Sequence, residues 1–425
     1  MKPQSSKIEI MSPVGSYESL SAAIKAGADS VYFGIGKLNM RSASSINFGL
    51  NDLKKIVSIC KKNKIKTYLT LNTVMYDEDL NEAKKVCDAA KKEGITAVIA
   101  SDMSIINYCN KIKLEVHMST QTNISNIEAV KFYSKFADVI VLARELNLEQ
   151  IKKICSEIKK QNIKGPSGNT IKIEIFVHGA LCVSISGKCY MSLAMYNKSA
   201  NRGECLQTCR RSYKVTDEET GDELIVENRH IMSPKDLCTI RFIPELIESG
   251  VTVFKIEGRG RSPDYVYTAT KCYKESIESY YNKTLTKEKI SEFERKLESV
   301  FNRGFWHGGY YLGNKLGEWS GIYGNKSTKE KHFIGIIKHY FSKSKIAEIE
   351  IQKESISIGD EILITGDKTG VVESKIKSIY VNEKPAKSAK KSDKDITISV
   401  PEQVKKNDKV YVIKNRDKLQ INNKI

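Results

Sequence analysis

Five of the ten cysteines lie within one irregular segment of the chain, and cysteines gathered in this way could bind a metal. They are Cys182, Cys189, Cys205, Cys209 and Cys238. The segment is rich in glycine and arginine and offers few core-forming residues, so four thiolates that bind a metal would also fold it. The other five cysteines fall in amphipathic helical stretches, where free cysteine usually acts as a small buried hydrophobic residue.

The irregular spacing favours an iron–sulfur cluster over zinc. Zinc knuckles usually carry two closely spaced Cys-x-x-Cys pairs, and no clustered histidine completes a set here. Zinc and purely structural cysteines remain as alternatives. A nucleophilic pair of His178 and Cys182 is a further alternative, but residues four apart meet on a helix and not on the strand-to-loop turn predicted here. The sequence also lacks HExxH, GxSxG and Walker A motifs.

A βα repeat precedes and follows this segment. Roughly the first 280 residues alternate short apolar runs with amphipathic helical stretches. Eight strands are predicted, at residues 7–13, 30–36, 66–72, 96–101, 114–120, 138–144, 171–179 and 252–258. They predict a TIM-like (β/α)8 barrel over residues 1–330, with a doubly wound sheet as the alternative. The cysteines then lie in an insertion after strand seven, at about residues 179–250, on the face where such barrels have their active sites.

Polar residues at the predicted strand ends converge on one barrel mouth. Arg41, Arg144 and Arg259, together with Gln121, are the predicted substrate-binding residues. Guanidinium groups bind carboxylate or phosphate in a bidentate manner, so this mouth suits a small dianion or a nucleotide phosphate.

The charge of the chain points to an acidic partner. The formal net charge is +18 and the pI is near 9.2, which fits an RNA or DNA ligand but also a lysine-rich proteome. Residues 331–425 contain 20 Lys and Arg against 13 Asp and Glu, in short alternating strands typical of a small β-barrel. This region is predicted to be an RNA-binding domain. Residues 383–395 are predicted to be a lysine-rich loop, and residues 212–228 a hairpin.

The N-terminal stretch lacks the apolar core of a signal peptide, and no run is long enough to span a membrane. Ten cysteines without a secretory signal indicate a reducing compartment. A cytoplasmic protein without membrane contact is therefore expected.

Residues 174–192, EIFVHGALCVSISGKCYMS, resemble the signature of the collagenase-like peptidase U-32 family. NRGECLQTCRRSY, SPKDLC and FKIEGRGRSPDYV resemble later blocks of that family, and MSPVGSYESLSAAIKAGADSVYFG resembles its opening block. Despite the family's name, the resemblance implies an oxygen-independent hydroxylase with a 4Fe–4S cluster. Branches of the family act on tRNA wobble uridine, on a cytidine of 23S ribosomal RNA, or on the ubiquinone ring. The length and the basic C-terminal region are most similar to the tRNA uridine 5-hydroxylation branch, which uses prephenate.

The resemblance implies the cluster ligands Cys182, Cys189 and Cys205, with Cys238 as the fourth and Cys209 as its competitor. Prephenate carries two carboxylates, which would give the arginines at the barrel mouth a ligand. The expected partners are the anticodon loop of tRNA, prephenate and a paralogous protein subunit. His117, His178 and Glu257 are the candidates for proton transfer.

Four alternatives remain open at this stage. They are a U-32-type peptidase, a hydroxylase of ribosomal RNA or of a quinone precursor, a non-catalytic RNA-binding subunit, and a cluster with a structural rather than a redox role.

Overall fold

Eight parallel strands close into a barrel in the computed structural model, which describes residues 8–43, 47–185, 187–213, 216–221, 232–313, 319–321 and 324–416. The strands of this sheet are β1 (Glu9–Pro13), β2 (Ser30–Gly34), β3 (Lys66–Leu71), β4 (Ala97–Ala100), β5 (Glu115–Met118), β6 (Val139–Val141), β7 (Lys172–Gly179), β8 (Asp236–Cys238), β9 (Val253–Ile256) and β10 (Phe305–His307). Strands β1–β7 run side by side, and β9 pairs with both β1 and β7 to close the ring. The predicted TIM-like barrel, with its eight strands, is confirmed.

Amphipathic helices cover the barrel. They are α1 (Tyr17–Lys25), α2 (Asp52–Lys62), α3 (Leu80–Glu93), α4 (Met103–Lys111), α5 (Ile127–Tyr133), α6 (Leu148–Lys160), α7 (Met191–Tyr196), α8 (Ile243–Glu248), α9 (Pro263–Tyr281) and α10 (Lys287–Ser299). In α6, Asn147 and Gln150 form a capping box, and the buried face repeats every three to four residues. The helical cysteines are buried, as predicted: Cys60, Cys87, Cys109, Cys155 and Cys272.

Two additional strands extend the barrel sheet beside β7. Strand β8 pairs antiparallel with the end of β7, with Cys238 opposite His178, and β10 pairs with β8. The insertion therefore returns to the barrel wall before α8 and β9 complete the ring. Most of the predicted hairpin at residues 212–228 lies outside the described residues.

The C-terminal region is an antiparallel all-β structure with its own core, as predicted. Its strands are β11 (Lys329–Phe341), β12 (Ile346–Ile351), β13 (Ser355–Ser357), β14 (Glu361–Gly366), β15 (Gly370–Lys375), β16 (Ile379–Val381), β17 (Lys384–Ala386), β18 (Ser388–Lys390), β19 (Ile396–Ser399) and β20 (Lys409–Asn415). The prediction of a loop at residues 383–395 was wrong in part, because β17 and β18 lie there. Ala389 pairs with Ile356 and is buried, so cross-strand pairing orders a segment with little apolar content.

The C-terminal region packs on the barrel through α1. Ala22, Leu363 and Val371 form a small apolar cluster between the two, and Lys25 Nζ donates to the Val371 carbonyl at 2.7 Å. A Cβ on Gly370 would lie 2.8 Å from the backbone of α1, so the chain can approach this closely only with glycine.

Candidate active site

A cavity of about 190 Å³ opens at the carboxyl ends of the barrel strands, beneath the insertion. The strand ends form one wall and the cysteine-bearing loops form the other. Nine of the residues singled out in the sequence line it: Arg41, Gln121, Arg144, Cys182, Cys189, Cys205, Cys209, Glu257 and Arg259. The location agrees with the general rule for TIM-like barrels.

Four cysteines share this cavity, but Cys238 is not among them. Cys182, Cys189, Cys205 and Cys209 line the wall formed by the insertion. Cys238 is fully buried in β8, where the Tyr273 hydroxyl lies 4.0 Å from its sulfur, and burial raises the pKa of its thiol to about 12. Pairing of β8 with β7 holds Cys238 in the barrel core. Cys209, and not Cys238, thus shares the cavity with Cys182, Cys189 and Cys205, and the identity of the fourth ligand stays a prediction.

The cavity lining includes four thiols, which is the number and the chemistry of ligands that a cubane iron–sulfur cluster takes. Among the described residues, no three His, Cys, Asp or Glu side chains are close enough together to hold one metal ion. In a cubane cluster each thiolate binds a different iron, so its ligands lie farther apart than those of a mononuclear site. Four thiols on one wall of one cavity match that requirement in number and chemistry.

Arg210 holds the cysteine-bearing loops together. Its guanidinium donates to the carbonyls of Leu181 and Pro234 at 2.6 and 2.7 Å and to Ser233 Oγ at 3.0 Å. Burial raises the pKa of the neighbouring Cys209 thiol to about 11, although the positive charge of Arg210 acts in the opposite direction. Arg210 thus both fixes the loop after Cys209 and favours its thiolate form.

The insertion is anchored to two loops of the barrel mouth. The Gly203 carbonyl accepts hydrogen bonds from Ser42 Oγ at 3.0 Å and from the Ala43 amide at 3.2 Å. Arg202 pairs with Asp79 and stacks over Tyr76, with 4.0 Å between guanidinium and ring centroid. These contacts place the cysteines opposite the strand ends.

Glu257 lies at the centre of the arginines on the opposite wall. Arg41 donates to its Oε1 from Nε and Nη2 at 3.1 and 2.9 Å. Burial raises the pKa of Glu257, but Arg41, Arg144 and Arg259 outweigh it and lower the pKa to about 2. A carboxylate with so low a pKa carries no proton at neutral pH and is a weak base. Its negative charge balances the arginines, and its predicted part in proton transfer stays a prediction.

Arg144 and Arg259 retain donors for a ligand. Arg259 Nη1 donates to Asn39 Oδ1 at 3.0 Å and to Thr70 Oγ1 at 2.7 Å, while Arg144 stacks over Phe176 at 3.8 Å and donates to the Ala180 carbonyl at 3.1 Å. The Nε atoms of both arginines are buried and have no hydrogen-bond partner within the described parts of the chain. Buried unpaired donors are costly, so a bound oxyanion would stabilise them.

Neither histidine proposed for proton transfer lines the cavity. His117 lies one layer deeper in the barrel than the cavity-lining Ser119, with its Nδ1 3.9 Å from Glu174 Oε2. His178 packs on the outer side of β7 among Tyr265, Tyr273 and Phe305. Burial lowers the pKa of His178 to about 4, so its ring is neutral.

A bulge in β7 explains the position of His178. Strict alternation would place Glu174, Phe176 and His178 on one face of the strand. The pairing of β7 with β9 shifts register between Phe176 and His178. The extra residue turns His178 away from the cavity that Phe176 lines.

Several cavity residues were absent from the predicted site. They are Tyr32, Phe176, Arg210, Lys255 and Arg303. Lys255 forms a buried ion pair with Glu174, at 2.7 Å between Nζ and Oε1, below the cavity. A lysine inside an apolar strand was the available signal for it. No comparable feature of the sequence predicts that Arg303 lines the cavity, because Arg303 follows the last barrel strand in the chain.

No helix in the described ranges is both long and apolar enough to cross a membrane.

Comparison with known proteins identifies relatives along nearly the whole chain. The model of peptidase family U32 matches residues 15–321. A protein named "Collagenase" from Porphyromonas gingivalis strain W83 is 54% identical over 409 residues, covering 96% of this chain and 98% of the relative. The "tRNA hydroxylation protein P1" of Bacillus subtilis is 30% identical over 373 residues, covering 85% of this chain and 84% of the relative.

A third relative matches a smaller part of the chain. The "23S rRNA 5-hydroxycytidine C2501 synthase" of Escherichia coli is 35% identical over 280 residues, which are 66% of this chain and 40% of the relative. The family model alone spans well over half of the sequence, and it includes the cysteine-bearing insertion and the strand ends that form the cavity. This chain belongs to peptidase family U32.

Proposed function

We propose that this protein is an oxygen-independent RNA hydroxylase that converts a tRNA wobble uridine to 5-hydroxyuridine, with a 4Fe–4S cluster and prephenate. The observation that carries the proposal is the shared cavity, in which four thiols face a wall of arginines. Such a cavity combines a cluster site with a site for a small dicarboxylic acid. A plain hydrolase has no need of either.

Cys182, Cys189, Cys205 and Cys209 would hold the cluster. When bound, such a cluster supplies electron transfer within the cavity. Arg144 and Arg259 would bind the carboxylates of prephenate through their unpaired donors. Glu257 keeps the neighbouring arginines fixed and charged before any ligand arrives.

Exposed aromatic residues beside the cavity support an RNA substrate. Tyr190, which is 76% exposed, and Tyr196 project from the insertion next to the cavity-lining Cys189 and Ser192. The Arg211 guanidinium lies 5.1 Å from the Tyr196 ring centroid. Aromatic and cationic side chains in this combination bind unpaired bases by stacking. An anticodon-loop uridine is already unpaired and could enter the cavity at little cost.

The names of the relatives support both a hydroxylase and a protease. The relatives from B. subtilis and E. coli are named for hydroxylation of tRNA and of 23S rRNA. The relative from P. gingivalis is named a collagenase and is more similar in sequence, so peptide hydrolysis is the second candidate. Hydrolysis by a cysteine needs an adjacent base. Among the described residues that line the cavity there is no histidine, which favours the hydroxylase.

The deciding experiment is mass spectrometry of tRNA nucleosides from a strain that lacks the gene and any paralogue. We expect 5-hydroxyuridine and its derivatives to disappear, and to return with the wild-type gene but not with Cys209→Ala. Unchanged nucleosides in the deletion strain would contradict the proposal and leave a non-catalytic RNA-binding role. If the deletion strain instead lacks a hydroxylated cytidine in its ribosomal RNA, the proposed substrate is ribosomal RNA rather than tRNA.

The same purified proteins distinguish the protease. Gelatin cleavage by wild type that persists in Cys209→Ala without iron would support hydrolysis. Cleavage by neither protein is the result we expect.

A further inference from the structure

Two further cations, Arg261 and Arg303, line the cavity in addition to the arginines that surround Glu257. Phe301 orients both of them. The Arg261 guanidinium lies 3.6 Å from the Phe301 ring centroid, and that of Arg303 lies 5.2 Å from it. Stacking on one ring restricts both side chains and leaves the edges of the guanidinium planes available to hydrogen-bond acceptors.

These two arginines have few partners in the protein. Within the described ranges, the Arg261 side chain forms no hydrogen bond and no ion pair. The closest carboxylate contact of Arg303 is a long one, 3.4 Å from Nη1 to Asp236 Oδ1. Arg210 is the third cation at this place, but its donors are engaged by backbone carbonyls and Ser233.

The local charge is therefore out of balance. Asp236 is the carboxylate that faces Arg210, Arg261 and Arg303, and it is almost fully buried. Three guanidinium groups thus share one buried carboxylate, and like charges held close together away from water repel each other. An additional anion would relieve this repulsion.

We propose that Arg261 and Arg303 form an oxyanion site, distinct from the group around Glu257, for a phosphodiester of the RNA or a carboxylate of the small acid. Each guanidinium offers paired N–H donors that match two oxygens of such a group. Arg210 positions the loop and does not contact the ligand. The phosphodiester case rests on the proposed function, whereas the oxyanion site itself does not.

The test measures binding without turnover, to the full-length protein. The probes are a short fluorescent single-stranded oligoribonucleotide and prephenate. The variants are Arg261→Met and Arg261→Met/Arg303→Met, with Arg241→Met as the matched control, since Arg241 is an exposed arginine paired with Glu294 outside the cavity. Arg261→Met is the deciding variant, because the Arg261 side chain makes no hydrogen bond in the described structure and its loss leaves Asp236 paired with Arg303.

We expect Arg261→Met to weaken the binding of one of the two probes by about tenfold or more. The melting temperature of the variant should be like that of wild type. If the binding of RNA is weakened, the slope of log Kd against the logarithm of the salt concentration should also decrease by about one for each arginine removed. Weaker binding of prephenate together with unchanged binding of RNA would identify the small acid as the ligand of this site. If both probes bind Arg261→Met and the double variant within about twofold of the Arg241→Met control, the oxyanion site does not exist.

Failure of the hydroxylase proposal would be visible elsewhere, in the tRNA nucleosides. Unchanged nucleosides together with a tenfold loss of prephenate or RNA binding would retain the oxyanion site and reject the reaction.

Discussion

Arg41 donates two hydrogen bonds to a single carboxylate oxygen of Glu257, at 3.1 and 2.9 Å, inside a cavity where Glu257 is the one carboxylate among the described lining residues. The opposing cations in that lining are Arg41, Arg144, Arg210, Lys255, Arg259, Arg261 and Arg303. The excess of positive charge is a property of the cavity itself. It does not depend on the basic composition of the whole chain.

Replacement of Glu257 should show, through the pH dependence of stability, that this carboxylate is the counter-ion of the arginines. The pKa of Glu257 falls from 4.5 to about 2 on folding, so its contribution is complete above pH 4.5 and is lost as the pH falls through about 2. Glu257→Gln should therefore lower the free energy of unfolding at pH 7 by about 3 kcal/mol. The difference from wild type should shrink between pH 4.5 and 2, as measured by urea denaturation. A difference that does not change with pH would mean that Glu257 is not the counter-ion of the arginines.

Removal of single cysteines should separate cluster ligands from core cysteines. We expect anaerobically purified wild type to be brown with about four irons per chain, and Cys209→Ala to lose iron and colour. Cys238→Ala should keep both, because Cys238 lies in β8 away from the cavity, and should melt at a lower temperature. Iron analysis and the visible absorption spectrum provide the measurements. A colourless Cys238→Ala protein beside a brown Cys209→Ala protein would reverse the assignment.

The exposed tyrosines of the insertion should contribute to RNA binding. Tyr190→Ala/Tyr196→Ala should weaken binding of a single-stranded oligoribonucleotide about tenfold or more, since each stacked base contributes roughly 1–3 kcal/mol. Tyr281→Ala is the control, because Tyr281 is an exposed tyrosine at the end of α9 and does not line the cavity. Fluorescence anisotropy measures the affinities. Equal binding by both variants would exclude the insertion as a stacking surface.

His178 should affect stability and not catalysis. Burial lowers its pKa from 6.5 to about 4, so the unfolded chain binds a proton more readily and wild type loses stability as the pH falls from 6.5 to 4. His178→Phe fits the surrounding aromatic side chains and removes that dependence. Denaturation midpoints at pH 7 and pH 4.5 should differ less in the variant than in wild type. A tRNA hydroxylation defect at unchanged stability would restore a catalytic role for His178.

The sequence predicted the barrel because each of its eight strands is a short apolar run between helical segments. It also predicted Arg41, Arg144 and Arg259 at the cavity, since parallel strands of one barrel end at one face. Features set by long-range pairing were not accessible in this way. The bulge after Phe176 turns His178 outward, and the pairing of β8 with β7 buries Cys238. Neither event leaves a local signal in the chain.

The anchoring of the insertion through Gly203 predicts how the protein would respond to oxidative damage or to a shortage of iron. The Gly203 carbonyl is bound by Ser42 and Ala43, directly after Arg41 on the same loop. If the insertion binds the proposed cluster, its unfolding on loss of that cluster would release the loop and with it the orientation of Arg41 toward Glu257. Oxidative damage would then make the protein unable to recognise its ligand, in addition to ending its chemistry.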